Sequence, residues 1–236
     1  KFHLYPKLMK TLEPTKLDTC NEFAKDKRII FCDASYGLPN EKKPRKEKVC
    51  SIARQLVNFL NWQGESALNF ADIVIVGCNE AAKSELQQRI QFLLKGDLPS
   101  HIKFLDTPLY TTSVRYLSPD ADEVLDPNLE PPQSVVVGLL IDRKIQPNRS
   151  KNQAAILGVK SARFALENFN VNCNEPLNVD TVLIGIQRWW WNCEFGELTR
   201  KESFFEAIEH AMSEHVRRHP NRPLHLTSQS TPTAND

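Results

Sequence analysis

Asp142 places a carboxylate where an apolar run, Ser134 to Ile141, gives way to the polar stretch Arg143-Lys144-Ile145-Gln146-Pro147. Val135 to Val137 is an unbroken β-branched run, the pattern of a strand buried on both faces in a parallel sheet. The strand is expected to run on through Gly138 and to end at Asp142. In open parallel sheets ligands gather beyond the carboxyl ends of strands. A carboxylate there can accept a proton or stabilise a developing positive charge. The nearby Gly138 would let a ligand approach the backbone. Read alone, an aspartate at such a junction more often caps a turn, and that alternative stands beside the catalytic one.

Several other chemistries lose support. No strand is followed by Gly-x-Gly-x-x-Gly, no phosphate-cradling Gly-Lys-Ser/Thr loop occurs, and no Gly-x-Ser-x-Gly elbow is present. His210, His215 and His219 recur on one predicted helix face without acidic or cysteine ligands beside them, so a solvated face is expected and no metal. Six cysteines, at 20, 32, 50, 78, 173 and 193, form no Cys-x-x-Cys pair, which argues for reduced thiols, a reducing compartment and no structural zinc. The net charge of +1 confines any phosphate-binding surface to a local patch. Two clusters qualify, Lys42, Lys43, Arg45, Lys46 and Lys48 before the first helix, and Arg217, Arg218 and Arg222 after the last. Each is either a solvated run or an RNA-binding patch. The run Trp189-Trp190-Trp191 cannot lie on one helical stripe, so at least one indole must meet a neighbouring element, a ligand or a partner.

The elements that position these residues alternate between strand and helix. Strands are expected over 28–34, 71–77, 115–118, 135–142 and 161–166. Helices are expected over 49–62, 81–95 with Gly96 as the stop, 151–157, 179–191 and 203–218. A Pro- and Lys-rich loop is read over 37–48. This is a βαβ layout with a mostly parallel sheet. Residues 1–26 read as a partly helical lead-in, 27–219 as one α/β domain, and 220–236 as a disordered tail. No apolar run approaches a membrane span, so no membrane association is expected.

Five blocks in order carry a family resemblance. Arg28 to Asp33 with the 52–58 helix and Gln55 looks like an opening strand and helix. Tyr116-Leu117-Ser118-Pro119-Asp120 is similar to a Tyr-Leu-Thr-x-Asp block. Gly138-Leu139-Leu140-Ile141-Asp142 resembles Gly-Gly-Leu-Val-Asp, with Leu139 in place of the second glycine. Leu157 to Phe164 looks like Leu-Gly-Ile-x-Thr-Ala-Arg-Leu, and Leu177 to Val182 like Leu-Thr-Val-Asn-x-Val. Together they resemble the SPOUT-class tRNA (purine-9) N1-methyltransferases, roughly from Lys27 to Arg222.

That resemblance implies an α/β fold with a deep trefoil knot, a rare exception to unknotted chains. It implies S-adenosyl-L-methionine as cofactor, lined by Leu117, Gly138, Asp142, Arg143, Gln146, Ser150, Phe164, Leu177 and Val179. For Leu117, Phe164 and Leu177 plain core packing is the alternative. Asp142 matches the family's proton acceptor, and tRNA is the implied substrate. The Gln146-Pro147 loop is closer to the mitochondrial branch, the methyltransferase subunit of protein-only RNase P. That branch implies a short-chain dehydrogenase and a metallonuclease as partners, a mitochondrial matrix location, with nucleus or cytoplasm as the alternative, and no homodimer. A non-catalytic tRNA-binding or scaffold subunit of the same fold is the second reading.

Overall fold

The computed structural model describes residues 28–68, 71–106, 114–141, 146–169 and 177–219. Seven strands form one sheet in the order β3-β2-β1-β6-β4-β7-β5. They are β1 (Arg28–Asp33), β2 (Ala71–Val76), β3 (Ile102–Leu105), β4 (Arg115–Leu117), β5 (Glu123–Val124), β6 (Ser134–Gly138) and β7 (Lys160–Arg163). Every pairing is parallel. Among the described residues five helices accompany them: α1 (Lys42–Ser66), α2 (Glu80–Leu94), α3 (Arg149–Ile156), α4 (Val179–Phe195) and α5 (Arg200–Arg218).

Alternation along the central strands divides the core. Ile30, Cys32, Ile73, Ile75, Val135 and Val137 face a large cluster with α1, α2, α4 and α5. Phe31, Val74, Val76, Tyr116 and Val136 face the other way, towards Ala154 of α3. Both faces of β1, β2 and β6 are therefore covered, which is why their sequences lack a polar alternation. Burial, and then Asp33 beside it, pushes the Cys32 thiol up to about 12, so it packs as a neutral side chain. Cys32, Cys50, Cys78 and Cys193 are free thiols; Cys20 and Cys173 lie outside the described residues, as do 1–27 and the tail from 220.

Several expected boundaries move, each for a local reason. The basic run 42–48 forms the first two turns of α1, because Pro44 sits in the first turn, where a missing N–H breaks no helical bond. Strand β6 stops at Gly138 and not at Asp142. Its neighbours end there, with Asp33 opposite Gly138 and Leu117 opposite Val137, so no partner remains to continue the ladder. The edge strands β3 and β5 escaped the pattern because they are short and half covered. Helix α2 closes on Lys95 in the left-handed region (φ 55°) ahead of Gly96. Helix α5 starts three residues early, at Arg200, on a reciprocal capping box between Thr199 and Glu202. Strand β7 ends at Arg163, and a 3-10 turn follows over Leu166–Phe169.

Helix α4 is enclosed by the sheet, α1 and α5, which accounts for the tryptophan run. All three indoles are buried. Trp189 meets Phe204 edge-on at 5.0 Å, Trp190 donates to the Pro132 carbonyl at 2.8 Å, and Trp191 lies 4.5 Å from Phe195. Between α4 and α5, Arg188 grips Glu206 through two bonds of 3.0 and 2.9 Å. Burial pushes the Glu206 carboxyl up, but the Arg188 pair and Asn192 outweigh it and hold it below the ordinary range.

Because that carboxyl is depressed in the folded state, its stabilisation is present above the unfolded value of ~4.3. It is lost as pH falls through the lower folded value. Urea unfolding of wild type and Glu206→Gln should differ most at neutral pH and converge in acid. A pH-independent difference would overturn the assignment.

Candidate active site

The carboxyl ends of β4, β6 and β7 bring together three segments distant in sequence. Beyond Leu117 the chain turns through Ser118 and Asp120, and three side-chain links tie this turn to the start of α3. Ser150 Oγ lies 2.7 Å from Ser118 Oγ, the Asp120 carboxylate accepts the Asn148 N–H at 2.7 Å, and Lys151 Nζ reaches Asp122 at 2.8 Å. Asn148 adopts φ 59°, a left-handed conformation that this Asp120 contact holds in place. The Gln146 side chain accepts from Arg149, whose guanidinium stands 5.2 Å above the Tyr36 ring. These contacts brace the chain immediately after the segment 142–145. Asp142 and Arg143 themselves lie outside the described residues.

The residues expected to line a cofactor divide by burial. Leu117, Phe164 and Val179 are core side chains, and Phe164 meets Phe204 at 6.2 Å. Leu177 is half-buried against the same core. Such positions leave only their backbone for a ligand. The Val179 N–H is an orphan donor of the first turn of α4, and Gln55 Oε1 accepts it at 2.6 Å. Between Leu177 and Val179 the buried amide nitrogen of Asn178 has no hydrogen-bond partner among the described residues. A buried donor without a partner is unfavourable unless something else accepts from it. The site therefore suits a ligand carrying acceptor atoms, as an adenosyl group does.

Gly138 has a reason to be glycine beyond the one read from sequence. A Cβ there would stand 2.9 Å from the Tyr36 hydroxyl and 3.1 Å from that of Tyr116. It makes room for a phenol pair. Tyr116 donates to buried Asp33 at 2.8 Å, so its oxygen accepts from Tyr36 at 2.7 Å, and Asp33 also accepts the Ser35 N–H at 2.9 Å. Burial pushes Tyr36 up to about 12 and raises Tyr116 strongly, so both phenols stay neutral. Sequence reading noted Asp33 only as a strand end and Tyr116 only within a matching block, and it did not single out Tyr36; partners 80 and 83 residues apart leave no local signal.

The basic clusters separate. Lys42, Lys43 and Lys46 are exposed on α1, and Arg45 gives its Nε–H to Glu85 at 2.9 Å. Arg217 binds Glu214 and Glu65, whereas Arg218 binds both and also the Asn58 carbonyl, with its side chain 10% exposed. These two are fastened to carboxylates and to the fold, and Arg222 lies outside the described residues. The histidines do not form a solvated face. His215 is buried 2.9 Å from Thr181 Oγ1, His219 lies 2.7 Å from Asp180, and His210 accepts from Trp62 at 3.0 Å. Each side chain joins α5 or its cap to α4 or α1. Among the described residues no group of three metal-capable side chains occurs.

Comparison with known proteins matches residues 19–208 to the family described as tRNA (guanine(9)-N(1))-methyltransferase TRM10/TRM10A. A tRNA (guanine(9)-N1)-methyltransferase of Eremothecium gossypii is 28% identical over 194 residues, covering 78% of this chain. The chain spans 62% of the length of that relative. Among solved structures, spTrm10(74) superposes with a TM-score of 0.57 at 19% identity, over 77% of this chain and 93% of that one. Full-length spTrm10 in its complex with SAH gives 0.55 at 18% identity, over 78% and 97%. At these identities the likeness shows the SPOUT-type α/β fold with its parallel sheet and flanking helices.

The tyrosine explanation of Gly138 is testable by a double-mutant cycle. Gly138→Ala should destabilise the protein by ~1–3 kcal/mol through overpacking. In a Tyr36→Ala background the loss should shrink, because the nearest obstruction is gone. Equal destabilisation in both backgrounds, measured by urea unfolding, would rule the explanation out.

Proposed function

The chain belongs to the tRNA (guanine(9)-N(1))-methyltransferase TRM10/TRM10A family, and from that premise we propose that it methylates N1 of the purine at position 9 of tRNA, using S-adenosyl-L-methionine. The observation that supports this reading most is the bracing of Ser118, Asp120 and Asp122 against Asn148, Ser150 and Lys151. It braces the residues that follow the segment bearing Asp142, beside the carboxyl ends of parallel strands, where such folds bind ligands. The bound donor supplies an electrophilic methyl group on a sulfonium. Asn178 and the backbone at Leu117, Gly138 and Leu177 are the described groups suited to hold it, with Ser150 and Gln146 at the start of α3.

Asp142 serves the acceptor. Guanine N1 carries a proton at neutral pH. As the nitrogen–methyl bond forms and the sulfur–methyl bond breaks, the sulfur keeps the electron pair and that proton passes to the Asp142 carboxylate. Adenine N1 already offers a lone pair, so there the same carboxylate stabilises the positive charge developing on the ring. The cations at the start of α1 are suited to the tRNA backbone, since phosphate contacts carry most non-specific affinity.

The Arg143 to Pro147 sequence and the net charge of +1 support placing the chain in the mitochondrial-matrix branch of the family. There it would act with a short-chain dehydrogenase and the nuclease of protein-only RNase P. A nearly neutral chain has little long-range attraction for tRNA by itself.

Asp142→Asn should retain S-adenosylhomocysteine binding by calorimetry while methyl transfer falls by ~100-fold or more. With a guanine acceptor the loss should be greatest at low pH and ease as N1 ionises. Full activity of the variant would remove Asp142 from the mechanism, and failure of the wild-type chain to bind S-adenosylhomocysteine would favour a non-catalytic tRNA-binding subunit. The partner is tested by methylating one tRNA with and without the dehydrogenase. Stimulation is expected; undiminished turnover by the chain alone would exclude the partner-dependent branch.

A further inference from the structure

The carboxyl ends of β1 and β2 open onto a cavity of about 260 Å³, on the other side of Tyr36 from the Tyr116 hydroxyl network. Strand β1 has β2 on one flank and β6 on the other. The chain leaves β1 through α1 towards β2, and it leaves β6 through α3 towards β7, on the opposite face. Connections that diverge in this way leave a crevice between the ends of β1 and β6, the place where open α/β sheets take their ligands, and Leu139 beyond β6 borders the cavity from that side.

The lining has two chemistries. Val49 and Ile52 from α1, Leu86 from α2 and Leu139 beyond β6 make an apolar wall. Arg45 and Lys48, one helical turn apart on α1, supply positive charge. Burial, and then Asp33, pushes the Cys78 thiol in the same wall up to about 11, so it adds no negative charge near neutrality. Ser35 Oγ accepts from Gln153 at 2.8 Å and keeps its own hydroxyl proton to donate.

Folding uses part of the charge on α1, since Arg45 gives its Nε–H to Glu85 of α2 at 2.9 Å. Helix N-termini favour anions and disfavour cations by ~0.3–1 kcal/mol each. Yet the first two turns of α1 carry Lys42, Lys43, Arg45, Lys46 and Lys48 against one acid, Glu47, and the first turn has no acidic residue. An arrangement that opposes helix stability and borders an apolar cavity is complementary to a flat ring joined to a phosphate. The volume falls just below the ~300 Å³ at which pockets for whole drug-sized molecules begin. It suits one base with its phosphate.

We propose that this cavity receives one unstacked nucleotide of the tRNA substrate, with its base on the wall of Val49, Ile52, Leu86 and Leu139 and its phosphate on Arg45 and Lys48. The proposal rests on the tRNA methyltransferase reading and states where the RNA, as distinct from the methyl donor, is held. Leu139 belongs to the cavity wall and lies three residues before Asp142. A nucleotide docked there reaches the edge on which the methyl transfer is proposed.

The test is a footprint on Cys78 in the full chain, read by mass spectrometry after N-ethylmaleimide labelling, with Cys193 as internal reference. Saturating tRNA should slow Cys78 labelling by roughly tenfold, as expected for a site closed by a bound base. Two variants accompany it. Ala82→Phe, which fills the cavity from α2, should raise the KM for tRNA and leave S-adenosylhomocysteine affinity unchanged. Lys48→Glu should weaken tRNA binding and reduce its salt slope by about one unit. Normal tRNA binding with Cys78 unprotected would overturn the cavity assignment while leaving the methyltransferase reading intact. Protection by AMP or GMP as strong as that by tRNA would make this a free-nucleotide site and overturn it too. A wild-type chain that binds neither S-adenosylhomocysteine nor tRNA would remove the reading on which the proposal rests.

Discussion

Seven parallel strands deliver all their carboxyl ends to one edge of the sheet, and the rest of the molecule follows from that constraint. Parallel neighbours cannot be joined by a tight turn, so each long connection must cross a face of the sheet. Helices α1, α2 and α4 cover one face and α3 the other. The polar chemistry is left to collect at the edge. Asp33 is the buried example: at 2% exposure it would be strongly unfavourable without partners, and it has the Ser35 N–H and the Tyr116 hydroxyl. Tyr36, which hydrogen bonds to Tyr116, then forms a partition with the cavity on one side and Gly138 on the other.

A second set of polar contacts fixes the helices that approach this edge. Apolar helix faces can slide past one another at little cost, whereas paired polar groups hold only at one register. Gln55 meets the Val179 N–H, Asn58 and His219 meet Asp180, and His215 meets Thr181. All of these converge on the first turn of α4, next to Leu177 and Asn178. Further along, Arg188 and Glu206 join α4 to α5. The start of α4 is thus held from α1 and from the end of α5, and neither contact depends on a ligand.

Charge shows how far tertiary context changes the meaning of a residue. Arg218 and Lys46 belong to similar basic runs, and sequence alone gives no ground for separating them. In the fold, Arg218 is spent on Glu65, Glu214 and the Asn58 carbonyl, whereas Lys46 is exposed on the opening turns of α1. The basic surface left over after these pairings is smaller than composition suggests. It sits beside the cavity at the carboxyl edge.

The sequence by itself determined the α/β class and the buried central strands, because these depend on local runs of side-chain type. Val135 to Val137 has the pattern of a strand covered on both faces, and the order of five short blocks was enough to indicate the family. The tertiary structure alone decided where β6 ends, since a strand stops when its neighbours do. It also decided why residue 138 is glycine. The Tyr36 and Tyr116 hydroxyls that fill that space come from two other segments, 102 and 22 residues away. The same holds for the histidines of α5 and for Arg217 and Arg218. Their roles depend on carboxylates, hydroxyls and carbonyls of other helices, and long-range partners leave no periodic trace in the residues they bind.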